Sequence, residues 1–101
     1  MRRIVLGMAT VALLWAVQAK AGDPEEGGRL ARQWCAECHL VGPGDNQAVA
    51  AAPTFQALAN DVRKTPDYLR AFLVRPHEPM PPLSLSRREI DDLIAYIISQ
   101  K

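Results

Sequence analysis

The sequence predicts an all-α fold, and three observations carry that prediction. Apolar residues recur at Ile90, Leu93, Ile94, Ile97 and Ile98, the i, i+3, i+4, i+7, i+8 spacing of a one-sided helical stripe. Two earlier segments, Asp23-Pro24 and Thr65-Pro66, set a capping residue before a proline, which is how helices commonly start. No stretch of useful length alternates apolar and polar residues, and no internal repeat occurs. Three main helices with long, proline-rich connections are expected.

The first 21 residues stand apart from that fold. Arg2 and Arg3 precede an uncharged, mostly apolar run from Ile4 to Val17, and Ala19-Lys20-Ala21 follows with small residues where a signal peptidase reads. This is the pattern of a cleaved secretory signal peptide. As a membrane anchor the run is short, because a span needs about 20 apolar residues. Residues 1–21 are therefore expected to be removed, leaving 22–101 as one exported domain. Cleavage takes Arg2, Arg3 and Lys20, so nine basic residues face eleven acidic ones.

Composition narrows the class further. The 101 residues carry a formal charge of +1 and are 49% hydrophobic. Those values exclude a strongly basic nucleic-acid binder and a disordered chain. Two cysteines permit at most one internal disulfide. A domain this small usually needs a disulfide, a metal or another staple to supplement its core.

Each element has its own local warrant. Asp23-Pro24-Glu25-Glu26 reads as cap, first helical residue and capping-box glutamate, opening a helix toward Trp34 with Leu30 and Ala31 inward. Gly27 and Gly28 each cost about 1 kcal/mol there relative to alanine. Either another helix crosses close to their backbone, or the helix starts late. Residues 40–53 read as loop, with turn chemistry at Gly42-Pro43-Gly44-Asp45-Asn46 and a run of mostly small side chains from Ala48 to Ala52. Thr54 to Asn60 suits one short helix with Phe55 and Leu58 inward. The helix opened by Thr65-Pro66-Asp67 carries Tyr68, Leu69, Phe72 and Leu73. Four prolines between Arg75 and Pro82 forbid helix and central strand, so a stiff extended loop is expected. Ser86-x-x-Glu89 is a capping box at the head of the apolar stripe.

Chemistry concentrates at Cys35-Ala36-Glu37-Cys38-His39, the C-x-x-C-H attachment signature of c-type haem. On a helical turn, positions i, i+3 and i+4 share one face. Two thiols there can bond the two vinyl groups of one porphyrin while the adjacent imidazole reaches its iron. Three other readings compete. A Cys35–Cys38 disulfide suits an exported protein, but a thioredoxin-like fold needs a βαβ framework that is absent from the pattern. A zinc site of Cys35, Cys38, His39 and His77 would ask two sequence neighbours to share one tetrahedral metal.

From residue 22 onward the chain resembles the class I, monohaem cytochromes c. The features match in order: a capped helix with Gly27 and Leu30, then C-x-x-C-H, then Ala52-Pro53-Thr54-Phe55, then Glu78-Pro79-Met80-Pro81-Pro82, then Asp92-Leu93-Ile94-Ala95-Tyr96-Ile97. Cytochromes c′ carry their haem motif near the C-terminus, and this chain does not. The resemblance implies terminal helices that cross at a glycine–aromatic contact, Gly27 or Gly28 with Tyr96. A third helix and the proline-rich loop would then surround one covalent haem held by Cys35 and Cys38.

It also implies His39 and Met80 as the axial iron ligands, and the Pro53 carbonyl as acceptor for the second nitrogen of His39. Pro43 is nearer in sequence but weakly supported. Two observations independently favour Met80: it is the only methionine left after cleavage, and prolines stiffen its loop. His77 is the competing ligand. Trp34 and Tyr68 could meet a haem propionate or simply pack, and Arg70, Arg75, Arg87 and Arg88 could balance charge or form a solvated face. The function implied is a soluble periplasmic electron carrier cycling between ferric and ferrous iron. Not an enzyme, it would meet a donor dehydrogenase and an acceptor oxidase or cytochrome complex transiently, with no nucleic acid and no stable membrane anchor. The alternative is a haem-based sensor or catalytic unit with a labile sixth ligand.

Overall fold

A computed structural model describes residues 22–43, 52–75 and 80–101, and it contains four helices and no strand among them. The signal-like segment, the turn residues 44–46, the small-residue run 48–51 and His77 fall outside the described residues.

Helix α1 (Pro24–Trp34) starts at its predicted cap, where the Asp23 carboxylate accepts from the N–H groups of Glu25 and Glu26. The capping box predicted there is only half formed. Glu26 turns instead to Arg29, whose Nε donates to Glu26 Oε1 at 2.9 Å. The N–H left over on Asp23 donates to Oδ1 of Asp92, 2.8 Å away on the terminal helix. A cation one turn ahead holds the glutamate outward, and a buried carboxylate takes its place.

The next two helices start as the sequence suggests. Helix α2 (Phe55–Asn60) is capped by Thr54, which accepts from the Ala57 N–H at 3.0 Å, and it buries Phe55 with Leu58 half-buried. Helix α3 (Pro66–Val74) is capped by Thr65, accepting from the Tyr68 N–H at 3.1 Å. Its Leu69 and Leu73 are buried.

Helix α4 (Arg87–Ser99) shows the complete capping box. The Ser86 N–H donates to Glu89 Oε1 at 2.9 Å, and the Glu89 N–H donates to Ser86 Oγ at 3.1 Å. Its predicted stripe is the centre of the core. Ile90, Leu93, Ile94 and Ile97 are buried, and Ile98 is half-buried against them.

Helix α4 organises everything else. Helices α1, α2 and α3 each pack on α4, and no two of those three pack on one another. The α1–α4 contact is a backbone-to-backbone crossing. A Cβ at Gly27 would collide with the Asp92 carbonyl and lie 2.8 Å from Tyr96 Cβ, while one at Gly28 would lie 2.9 Å from Tyr96 Cε2. Both glycines are thus used: Gly27 admits the α4 backbone and Gly28 admits the tyrosine ring. The crossing, not a late helix start, explains them. Among the described residues no helix is long and apolar enough to cross a membrane.

Candidate functional site

Because α1 and α3 reach α4 without touching each other, a space opens between them. It is a cavity of about 640 Å³, within the roughly 300–1,000 Å³ range of small-molecule and cofactor sites. Phe55 and Leu58 of α2, Leu69, Phe72 and Leu73 of α3, and Leu93 and Ile97 of α4 give it apolar walls. Cys35, Cys38, His39, Pro53 and Met80 line the same cavity. Five residues from three separate stretches of sequence therefore converge on one space.

The C-x-x-C-H motif forms a turn rather than a continuation of the helix. Helix α1 ends at Trp34 with Cys35 as its C-cap, and the N–H groups of Cys38 and His39 return to the Cys35 carbonyl at 3.2 and 2.9 Å. Both thiols are free, Cys35 buried and Cys38 exposed. Burial pushes the Cys35 thiol up to about 11, with the neighbouring Cys38 adding to the shift. A thiol so rarely ionised at neutral pH is the opposite of the low-pKa cysteine that a C-x-x-C oxidoreductase uses. No group of three or more side chains able to hold a metal ion occurs among the described residues, and His77, the fourth residue of the zinc reading, lies outside them.

His39 is fixed from two sides. Its Nδ1 lies 2.6 Å from the Pro53 carbonyl oxygen. That oxygen can only accept, so Nδ1 carries the proton and Nε2 keeps the lone pair needed to bind a metal. Beside it the Phe55 N–H donates to the Leu40 carbonyl at 2.9 Å. Together the two bonds staple residues 53–55 to residues 39–40. The Phe55 ring packs on the imidazole, centroids 5.4 Å apart, and meets Tyr96 edge-on at 6.2 Å. Tyr96 then donates from its hydroxyl to the Val41 carbonyl at 2.8 Å. The helix crossing is thereby tied to the segment that holds His39.

Met80 is half-buried and packs against the core from the proline-rich segment. His77, its competitor, is outside the described residues. Trp34 and Tyr68 both line the cavity near its mouth, 53% and 42% exposed. The four arginines do not reach it. Arg70 is paired with Asp91, tying α3 to α4, while Arg75, Arg87 and Arg88 are exposed.

Sequence reasoning passed over two cavity residues. Leu83 follows the proline loop with no periodic signal to mark it. Lys64 stands just before the Thr65 cap and four residues before Tyr68, a spacing that brings side chains together on a first turn and was open to notice.

These residues fit a c-type haem. The walls are apolar, two thiols stand where they could become thioethers, a nitrogen lone pair is held in a fixed tautomer, and a thioether sulfur belongs to the same lining. A family described as cytochrome C oxidase, cbb3-type, subunit III, matches residues 22–97. Cytochrome c-552 of Bradyrhizobium diazoefficiens is 42% identical over 79 residues, covering 78% of this chain and 76% of its own length. No solved structure matches the chain.

Proposed function

Because the chain belongs to the cytochrome c family described as cytochrome C oxidase, cbb3-type, subunit III, we propose a specific form of electron carrier. Residues 1–21 direct export and are removed, and residues 22–101 work in the periplasm as a soluble domain. Cys35 and Cys38 bond one haem covalently, and its iron is held between Nε2 of His39 and the sulfur of Met80. The family and the cytochrome c-552 relative support an electron-transfer haem protein, and neither favours the sensor alternative. The observation that carries the residue assignment is the convergence of all four side chains on one apolar cavity.

When bound, the haem supplies a one-electron ferric–ferrous couple. The chain tunes that couple through a few definite groups. Pro53 fixes the His39 tautomer and raises the basicity of its free nitrogen. A methionine sulfur opposite an imidazole raises the potential relative to two imidazoles. The leucine and phenylalanine walls exclude water, which disfavours the more highly charged oxidised centre. Held by His39 and Met80, the iron would keep no open position for a substrate, so the role we propose is transfer and not catalysis. Donor and acceptor, a dehydrogenase on one side and an oxidase or cytochrome complex on the other, would dock briefly through an interface at the small end of the size range.

The test is an absorption spectrum of the purified protein, oxidised and reduced, beside that of Met80→Ala. The wild type should be low-spin with a sulfur-to-ferric charge-transfer band, and its reduced form should bind little carbon monoxide. Met80→Ala should lose the band and bind carbon monoxide while keeping its haem attached. An unchanged spectrum would transfer the sixth position to His77.

A further inference from the structure

The packed fold begins at the first residue after the expected signal-peptide cut. A chain terminus is ordinarily loose unless something ties it down, and loose residues are where proteases act. Here the tie starts at once. Gly22 is half-buried, and a Cβ on it would collide with the Asp91 carbonyl and lie 2.9 Å from the Asp92 backbone nitrogen. The next residue is held as well, its N–H donating to Oδ1 of Asp92 at 2.8 Å. Asp92 is itself only 5% exposed, and Arg70 of α3 pairs with its neighbour Asp91. Gly22 and Asp23 therefore rest on the stretch of α4 that also receives Gly27 and the α3 arginine.

The expected scissile bond, Ala21–Gly22, has the nitrogen of this packed glycine as its leaving atom. Hydrolysis breaks that C–N bond, water giving its hydroxyl to the Ala21 carbonyl carbon and a proton to the Gly22 nitrogen. A peptidase must draw residues on both sides of the bond into its active site, and in the folded domain the Gly22 side is held on α4. Cleavage of a folded chain then waits on local opening, and its rate follows the population of the opened state. Resting on the signal-peptide reading above, we infer that removal of residues 1–21 is ordered before the closure of α1 on α4. A chain that closes first keeps its signal peptide. The glycine that permits so close a start also removes the slack on which a peptidase would work.

Full-length precursors, made with their haem while signal peptidase is inhibited and then purified and given the peptidase, test this order. One is the wild type. The other carries Gly-Asp-Gly-Ser inserted after Ala21, which repeats the residues following the scissile bond and adds slack behind them. The inserted precursor should be cut at least about tenfold faster, because its bond no longer depends on opening of the fold. Asp92→Ala frees the Asp23 N–H without touching the scissile sequence. It should speed cleavage of the wild-type precursor severalfold and leave the inserted one unchanged. A smaller ratio between the two precursors, or an Asp92→Ala effect equal in both, would overturn this inference alone. Failure of both to be cut, or a wild-type product whose mass shows a start other than Gly22, would overturn the signal-peptide reading with it.

Discussion

Helices α1 and α3 both lean on α4, but they do so in opposite ways. Helix α1 meets α4 at van der Waals distance through two glycines, with the Tyr96 ring seated on one and the Asp92 carbonyl on the other. Polar ties lock the same crossing, from the Asp23 N–H to Asp92 and from the Tyr96 hydroxyl to the Val41 carbonyl. Helix α3 has Arg70 paired with Asp91 and two buried leucines, Leu69 and Leu73, which with Phe72 form the apolar face that looks into the cavity. One half of the core is completed by the chain itself. The other half is completed by what the chain holds. That division suits a domain of this size, because small cores usually rely on a staple to supplement the apolar surface they bury.

The largest effect should come from removing the staple. Cys35→Ala with Cys38→Ala deletes both attachment points, so mass spectrometry should find no added porphyrin and thermal melts should lose their cooperative transition. Cooperative folding of that colourless chain would mean α3 closes the cavity unaided, and the contrast between the two halves would disappear. Tyr96→Ala attacks the other half and should destabilise the holoprotein by about 3–5 kcal/mol, as large-to-small aromatic changes in a core do. Urea titration followed by far-ultraviolet circular dichroism measures it. A negligible loss would mean that the glycine crossing contributes shape but little stability.

The same contrast decides what could be read in advance. The caps at Asp23, Thr65 and Ser86 and the α4 stripe were legible because each depends on residues a few positions apart, whereas Thr54 was read as a helical residue and proved to be the cap, and the glycine–tyrosine crossing was legible only through the family resemblance. The cysteine motif was legible because its chemistry demands a fixed spacing. The Asp23–Asp92 bond was not, since it joins residues 69 apart that only the crossing brings together. Glu26 was misassigned for a related reason: its capping role competes with Arg29, and local sequence does not rank the two. Lys64 escaped notice because a lysine beside a helix cap is ordinarily solvated. Only the cavity behind Tyr68 makes this one different.

The smallest effect tests whether the α4 terminus belongs wholly to the protein-made half. Ser86→Ala removes a hydroxyl cap and should cost about 1 kcal/mol, with no change in the visible spectrum, since Ser86 does not line the cavity. Its partner adds a pH signature. Hydrogen bonds from the Ser86 backbone, and then from its side chain, hold the Glu89 carboxyl below its usual 4.5. A folded-state value depressed in this way stabilises the fold above pH 4.5, and that contribution fades as the pH falls through the lower, folded value. Glu89→Gln keeps the shape of the box without the charge, so the stability difference from wild type should shrink on acidification. Denaturant midpoints measured on both sides of that range give the answer. A difference that stays constant with pH would mean the cap works through geometry alone, and that charge plays no part in anchoring the helix on which both halves rest.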